Sequence, residues 1–289
     1  MNPVVVIGEA LVDVVDRPDG RVEHPGGSPM NAAVGLARLG VAARLVCALG
    51  HDERGAVIRA HVGASGVELD ATTIDRTSTA VATIDGDGAA TYVFDLDWRL
   101  DPVSVPAGTP MVHVGSIGAV LEPGAASVLD AVRRRAPGTL VSIDPNVRPS
   151  ITPDAAAVRS ALAPLLAEAD VVKLSDEDAA WLWPDRDVDA VLDGLLDSGA
   201  TVAAVTLGGN GCALANASRR IVVPAPRVEV VDAIGAGDSF TAGLLDGVLA
   251  AGSTFSDDLE ALAAHALACA RVTVSRPGAD PPRRDELPA

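Results

Sequence analysis

The chain has 289 residues, 48% of them hydrophobic but only 2% aromatic, and a formal net charge of -17. That length supports a sizeable core filled mainly by Ala, Val and Leu, and the apolar content excludes a disordered chain. The acidic surplus argues against nucleic acid or an anionic membrane as partner, although a local site can still attract phosphate.

The N-terminus, Met-Asn-Pro-Val-Val-Val-Ile-Gly, shows no basic region ahead of a long apolar segment. No stretch approaches a membrane span, so a cytoplasmic protein is expected. Apolar runs read as buried strands at Val4–Ile7 and at residues 44–49, 111–114, 140–143, 171–174 and 203–207. Residues 32–39, 125–135, 155–167 and 188–198 read as the helices between them. This alternation predicts an α/β fold in three layers, α/β/α, with a mostly parallel sheet covered on both faces.

Two segments break the rhythm, residues 12–23 and 79–100. The second reads as a hairpin, with strands at 80–84 and 90–96 around Asp85-Gly86-Asp87-Gly88. Its exposed end is expected to carry Phe94, Asp95, Asp97 and Trp98. Strands outside the parallel sheet could form a small lid at one end of it, or merely decorate its edge. Residues 1–289 are expected to form one domain, with an exposed lid offering a surface for a homodimer. Cys47, Cys212 and Cys269 are far apart and flanked by apolar residues, which predicts buried free thiols rather than a metal site.

Two glycine-rich elements carry the chemistry. In Pro25-Gly26-Gly27-Ser28-Pro29-Met30-Asn31, Ser28 suits a helix N-cap and Pro29 the first helical position. The paired glycines admit backbone close to a ligand, and the Asn31 amide can pair with hydroxyls. Asp13 follows the first strand, where α/β folds place ligands, and could hold two vicinal hydroxyls. The second element is Asp232-Ala233-Ile234-Gly235-Ala236-Gly237-Asp238. Phe240, Leu244, Val248 and Ala251 follow at helical spacing, so Gly235–Asp238 should sit at a helix N-terminus. Unpaired N–H groups there form an anion site, with Asp238 beside it as a base: the parts needed to move a phosphoryl group onto an alcohol. The plainer reading is a turn closed by a capping Asp.

Rival chemistry finds little support. No G-x-G-x-x-G follows the first strand, where the turn reads Gly8-Glu9-Ala10-Leu11, and neither G-x-x-x-x-G-K-[ST] nor H-E-x-x-H occurs. A ligand-sensing protein on a retired catalytic fold is the non-enzyme alternative, and such a protein has no need to keep Asp238.

From Val4 to about Pro282 the chain resembles the ribokinase-like, PfkB-type carbohydrate kinases. The resemblance rests on the two glycine-rich elements in order, more than 200 residues apart. Gly26–Gly40 and Asp144-Pro145-Asn146-Val147-Arg148-Pro149-Ser150 are most similar to bacterial fructokinases. The resemblance implies ATP and Mg²⁺ as cofactors and a small sugar as acceptor, D-fructose first, with 2-keto-3-deoxygluconate or another sugar or nucleoside as alternative. It implies Asp238 as catalytic base and the N–H groups of Gly235, Ala236 and Gly237 as anion hole. Asp13, Gly26, Gly27 and Asn31 would hold the sugar, and Arg148 would lie near the acceptor or the phosphates. Thr206, Gly208, Asn210 and Gly211, with Ser175, would serve the nucleotide. Ser175 and Asp178 stand where the family often has Asn and Glu, so Asp178 would organise Mg²⁺ through water. Asp232 matches the carboxylate of the family's monovalent-cation site, where K⁺ would bind. Pro282 falls where cation-dependent relatives can offer a hydroxyl, which argues against activation by K⁺.

Overall fold

The computed structural model describes residues 2–17, 20–84 and 90–288. The first strand, β1 (Val4–Ile7), is fully buried and short, as a central parallel strand should be. It is followed by β2 (Leu11–Arg17) and β3 (Gly20–Gly26), then helix α1 (Ser28–Arg38). Next come β4 (Ala43–Gly50), α2 (Glu53–Ala64), β5 (Glu68–Ile74), β6 (Thr79–Ile84) and β7 (Ala90–Asp95). A regular alternation follows: β8 (Met111–Gly115), α3 (Gly124–Arg133), β9 (Leu140–Asp144), α4 (Ala155–Leu166) and β10 (Val171–Ser175). Helices α5 (Asp176–Leu182) and α6 (Val188–Asp197) lead to β11 (Val202–Thr206), β12 (Cys212–Ala215) and β13 (Arg220–Val223). Helices α7 (Ala236–Ala251) and α8 (Leu259–Val274) end the regular structure.

Among the described residues, nine strands form one sheet in the order β13-β12-β11-β10-β9-β8-β1-β4-β5. Strands β5 to β11 within it run parallel, while β12 and β13 are antiparallel additions. Alternate β1 residues feed opposite cores. Val4 and Val6 pack with α1, α7 and α8 residues such as Met30, Leu244 and Leu262. Val5 and Ile7 pack with Val128, Leu162 and Leu192 from α3, α4 and α6. Two apolar faces on one sheet make the three-layer architecture. Strand order reverses at β1, so the carboxyl ends of β1 and β8 open the crevice in which α/β folds bind ligands.

A second, four-stranded sheet has the order β3-β2-β6-β7, with β2 and β6 parallel and the two outer pairs antiparallel. Val12 and Val14 anchor it to the main core. Arg54 of α2 fastens it further, donating from Nε and Nη2 to the two Glu23 oxygens at 3.0 and 2.6 Å. The expected hairpin is present as β6 and β7, while its Asp85–Gly88 turn and Asp19 lie outside the described residues.

Trp98 departs from expectation. It lies beyond β7, only 5% exposed, and its indole N–H donates to the Gly118 carbonyl at 3.0 Å. A methyl group on Gly124 would strike the indole ring, so the absence of a side chain there makes room for it. The aromatic bulk expected at a hairpin tip is therefore core packing over the start of α3.

The three cysteines are buried thiols, and burial pushes each up to about 12. No helix among the described residues is long and apolar enough to cross a membrane.

Candidate active site

Helix α7 begins at the anticipated turn. Gly235 is its N-cap, with a left-handed φ of 74° that disfavours a side chain. Ala279 also packs against its Cα, closely enough that a Cβ would clash. The N–H groups of Gly235 and Gly237 make no backbone hydrogen bond among the described residues, whereas that of Ala236 is donated to Ala233 O at 3.2 Å. The three expected anion-hole donors are thus not equivalent. Closing the local turn occupies Ala236 and leaves the N–H groups of the two glycines without a backbone acceptor among the described residues.

Asp238, in the first turn of α7, is 9% exposed. Ser28 Oγ donates to its Oδ1 at 2.6 Å and Asn31 Nδ2 to its Oδ2 at 2.8 Å. Burial raises its pKa above the ordinary aspartate value, an effect the Ser28 and Asn31 bonds partly offset and Asp144 reinforces. The result is a carboxylate held in place with increased proton affinity.

One expectation is corrected here. Ser28 does not cap α1; Gly27 is the N-cap, with φ 112°, and the Ser28 hydroxyl is spent on Asp238 instead. The Asn31 amide nitrogen donates one N–H to Asp238, which leaves its second N–H and its oxygen for other partners. A serine three residues before an asparagine on one helix face was the available signal for this pair.

Asp13 lies on β2 with its side chain open to solvent. Gly26 backs directly onto its carboxylate, where a Cβ would collide with Oδ2, and Gly27 crosses the Glu9 carbonyl so closely that only glycine fits. The surrounding protein raises the Asp13 pKa, Arg148 and His24 lower it, and Asp238 raises it again. Arg148 and Asp238 therefore lie near enough for their charges to act on Asp13. Arg148 is exposed and makes no ion pair among the described residues; Nη1 donates to Asn146 O and Oδ1 and to Val147 O.

Three buried charged residues escaped the sequence reading. Glu9, after β1, is 5% exposed and accepts the Gly118 N–H at 3.0 Å. Burial pushes its carboxyl up to about 7, with Ser116 and Gly118 bonding against that trend. Asp144 ends β9 and accepts both Lys173 Nζ and Thr241 Oγ1 on Oδ2, each at 2.9 Å. Lys173, on β10, is 4% exposed. Burial works against its charge, but Asp144, Asp178 and Asp238 outweigh it and hold its pKa above the ordinary lysine value. Charged residues inside apolar strands look like interruptions in sequence, and only the fold brings them together.

A cavity of about 510 Å³ opens beside Gly237, lined by Thr206, Gly208, Gly211, Val228 and Arg271 among others. Its walls are mainly apolar, as a flat heterocycle requires. Ser175 and Asn210 do not line it. Ser175 instead caps α5, its hydroxyl accepting the Asp178 N–H at 2.9 Å while Asp178 Oδ2 accepts the Ser175 N–H at 3.1 Å. The other Asp178 oxygen holds the Val147 N–H at 3.0 Å. Burial and Asp144 raise the Asp178 carboxyl above its usual range. Each Asp178 oxygen thus accepts one backbone N–H and keeps a lone pair for a further partner. Asp232 is similarly engaged, with Oδ1 accepting Ile234 N–H at 3.0 Å and Oδ2 accepting Gly278 N–H at 2.9 Å, bonds that lower its pKa.

The three-layer α/β fold thus sets a glycine turn at a helix start, a buried carboxylate beside it and an apolar cavity next to both. The pfkB family carbohydrate kinase model matches residues 1–286, and the chain belongs to that family. It is an ATP-dependent carbohydrate kinase. The chain is 35% identical over 304 aligned positions to a fructokinase of Klebsiella pneumoniae, covering 98% of this chain and 97% of that one. It superposes with a TM-score of 0.84 on fructokinase with bound ATP from Xylella fastidiosa, at 27% identity over 99% of this chain and 95% of the other. A fructokinase double mutant from Vibrio cholerae O395, in a form bound to fructose, ADP and potassium ion, also gives 0.84 at 26% identity, covering 96% and 94%.

Proposed function

We propose that the protein transfers the γ-phosphate of ATP to the primary O6 hydroxyl of D-fructose, giving fructose 6-phosphate and ADP. The observation that carries this reading is Asp238, buried at the start of α7 with both oxygens held by α1 residues and near enough for its charge to act on Asp13. The full-length likeness to a fructokinase supports fructose over the alternative sugars.

In this reading Asp13 accepts hydrogen bonds from sugar hydroxyls, with Gly26 and Gly27 letting backbone approach the ring. Arg148 lies over the acceptor and the phosphates. ATP occupies the cavity beside Gly237, its base among Val228 and neighbouring apolar groups and its phosphates toward Thr206, Gly208 and Gly211. Asp238 takes the O6 proton as that oxygen attacks the γ-phosphorus. The N–H groups of Gly235 and Gly237 receive the charge of the transferring group, and the bridging bond breaks with its electron pair on ADP. Asp178 fits Mg²⁺ through water, and Mg²⁺ arriving with ATP supplies charge neutralisation at the phosphates.

The deciding experiment is ATP consumption across fructose, ribose, 2-keto-3-deoxygluconate, adenosine and fructose 6-phosphate. The highest kcat/KM is expected with fructose, and a better result with any other acceptor would overturn the assignment.

The proposal extends to a homodimer through the small sheet, where Val22 and Val93 on its two outer strands are 50% and 59% exposed. Sedimentation velocity should show a dimer that dissociates in the V22K/V93K variant.

A further inference from the structure

A lysine inside a sheet needs a reason. Strand β10 is buried from Val171 to Leu174, and Lys173 is its one charged residue. A buried ion pair is often replaceable by apolar side chains without loss of stability, so Lys173–Asp144 is poorly explained as a staple. Its placement is more informative. A Cβ built on Gly237 would lie 3.3 Å from Lys173 Nζ, so the ammonium sits against the turn that opens α7.

The charges around it are unbalanced. Asp144 from β9, Asp178 from α5 and Asp238 from α7 all act on Lys173. His113 of β8 lies within the influence of Asp144 and Lys173 but is neutral near pH 7, because burial pushes it down to about 4. Three carboxylates therefore converge behind a turn that has to accept a phosphoryl group, and Lys173 is the cation among them. Asp144 Oδ2 holds both Lys173 and Thr241, while its buried Oδ1 has no hydrogen-bond partner among the described residues. Thr241 lies on the first turns of α7, so this carboxylate ties the ammonium to the same helix whose N-terminus it adjoins. Of the three ammonium hydrogens, one is used by Asp144, and no other side-chain bond from Nζ is present among the described residues.

We infer that Lys173 is the buried cation of the phosphoryl site: fixed by Asp144 against Gly237, it adds a full positive charge to the N-terminus of α7. The inference deepens the proposed function and rests on its placing the transferring group at this turn. As the sugar oxygen bonds to the γ-phosphorus and the bond to ADP breaks, negative charge accumulates on the equatorial oxygens beside Gly235 and Gly237. Two N–H dipoles face that charge directly, and an ammonium in a water-poor interior strengthens their field. Lys173 is a positioning residue in this scheme, acting through the turn and offsetting the carboxylates behind it.

The test uses K173M, which keeps length and removes charge, and K173M/D144N, which also relieves the stranded Asp144 in case the single variant fails to fold. Thermal unfolding identifies the folded variant. The first readout is steady-state kinetics with the sugar that the wild type turns over best. Here kcat should fall about 10²-fold while sugar KM changes less than roughly threefold. The second needs no turnover: inorganic phosphate, titrated against the protein by phosphorus-31 line broadening, should bind the wild type and bind the folded variant on the order of tenfold more weakly. A folded double variant with wild-type phosphate affinity overturns the inference whatever its kcat, and so does a wild type that binds no phosphate. A wild type that binds phosphate through Lys173 but phosphorylates no sugar would instead overturn the proposed function and leave Lys173 as an anion-site cation.

Discussion

Ser28 and Asp238 stand 210 positions apart in the chain, and the serine hydroxyl donates to the aspartate at 2.6 Å. The bond joins the first turns of α1 and α7, which pack so closely that a Cβ on Gly35 would strike Ala242. It also bears on reactivity, because it stabilises the ionised form of a carboxyl that burial is pushing toward the neutral one. In S28A the Asp238 pKa should rise further, moving the acid limb of the kcat profile to higher pH by roughly one unit. An unmoved limb in S28A would remove Asp238 from the rate-controlling ionisation.

Replacing Asp238 by Asn preserves size and removes the base. The turnover rate is expected to drop by roughly 10²–10⁴. Stability should move the other way. The folded state holds the Asp238 proton more tightly than the unfolded chain does, so ionising it costs stability as pH rises past the unfolded value. At pH 7.5, taken as roughly physiological, D238N should therefore melt at or above the wild-type Tm. A folded D238N enzyme with near-normal turnover would falsify the assignment.

Glu9 gives a pH dependence with a defined window. Its ordinary value is 4.5 and burial lifts it to about 7, so the folded protein keeps a proton that the unfolded chain has lost between these values. Stability from this group is present below 4.5, declines as pH rises to about 7, and is flat beyond. In E9Q that slope should disappear, leaving the variant more stable than wild type in mildly alkaline buffer by up to about 3 kcal/mol. Denaturant unfolding across this range measures it, and parallel curves for both proteins would contradict the assignment.

Asp13 should affect one substrate and spare the other. D13A deprives sugar hydroxyls of an ionised acceptor, a loss of about 1.5–3 kcal/mol that appears as a higher sugar KM. ATP affinity is expected to be unchanged, because the cavity beside Gly237 does not include Asp13. Calorimetry with each ligand separates the two, and equal weakening of both would refute the site map.

Potassium should be dispensable. Asp232 already uses each carboxylate oxygen on a backbone N–H, bridging Ile234 and Gly278 directly, and the buried Pro282 has no hydroxyl to complete a cation shell. Initial rates in tetramethylammonium and potassium chloride should agree within about twofold, taking ionic screening as equal. A strong rise with K⁺ would show that a cation displaces one of these bonds.

The parts legible in sequence were those whose meaning is local. Gly235–Asp238 announces itself through a turn followed by helical spacing, and Val4–Ile7 is readable as a buried strand from four consecutive apolar residues. The antiparallel β12 and β13 were missed: Cys212–Ala215 is short, and the edge strand Arg220–Val223 is equally short and only partly buried. The capping box that Ser175 and Asp178 form at the start of α5 was not read from the sequence, where the two residues drew attention only through the family resemblance. Glu9, Asp144 and Lys173 were invisible for a different reason. Asp144 ends an apolar strand, Lys173 interrupts one and Glu9 sits in the turn after one, and their partners come from elements brought side by side only by sheet order.

The turn at Gly235 leans on the far end of the chain. Gly278 bonds to Asp232, Ala279 fills the space against Gly235, and Arg38 of α1 grips Asp280 and the Pro281 carbonyl. During synthesis the sheet strands, Asp13 and even helix α7 emerge before these residues do. A nascent chain can thus acquire nearly its whole architecture while the phosphate-facing turn still lacks its buttress. The support of this turn therefore arrives with residues 278–281 rather than growing with the fold, and a chain cut before Gly278 would lack the contacts that hold Asp232 and Gly235 in place.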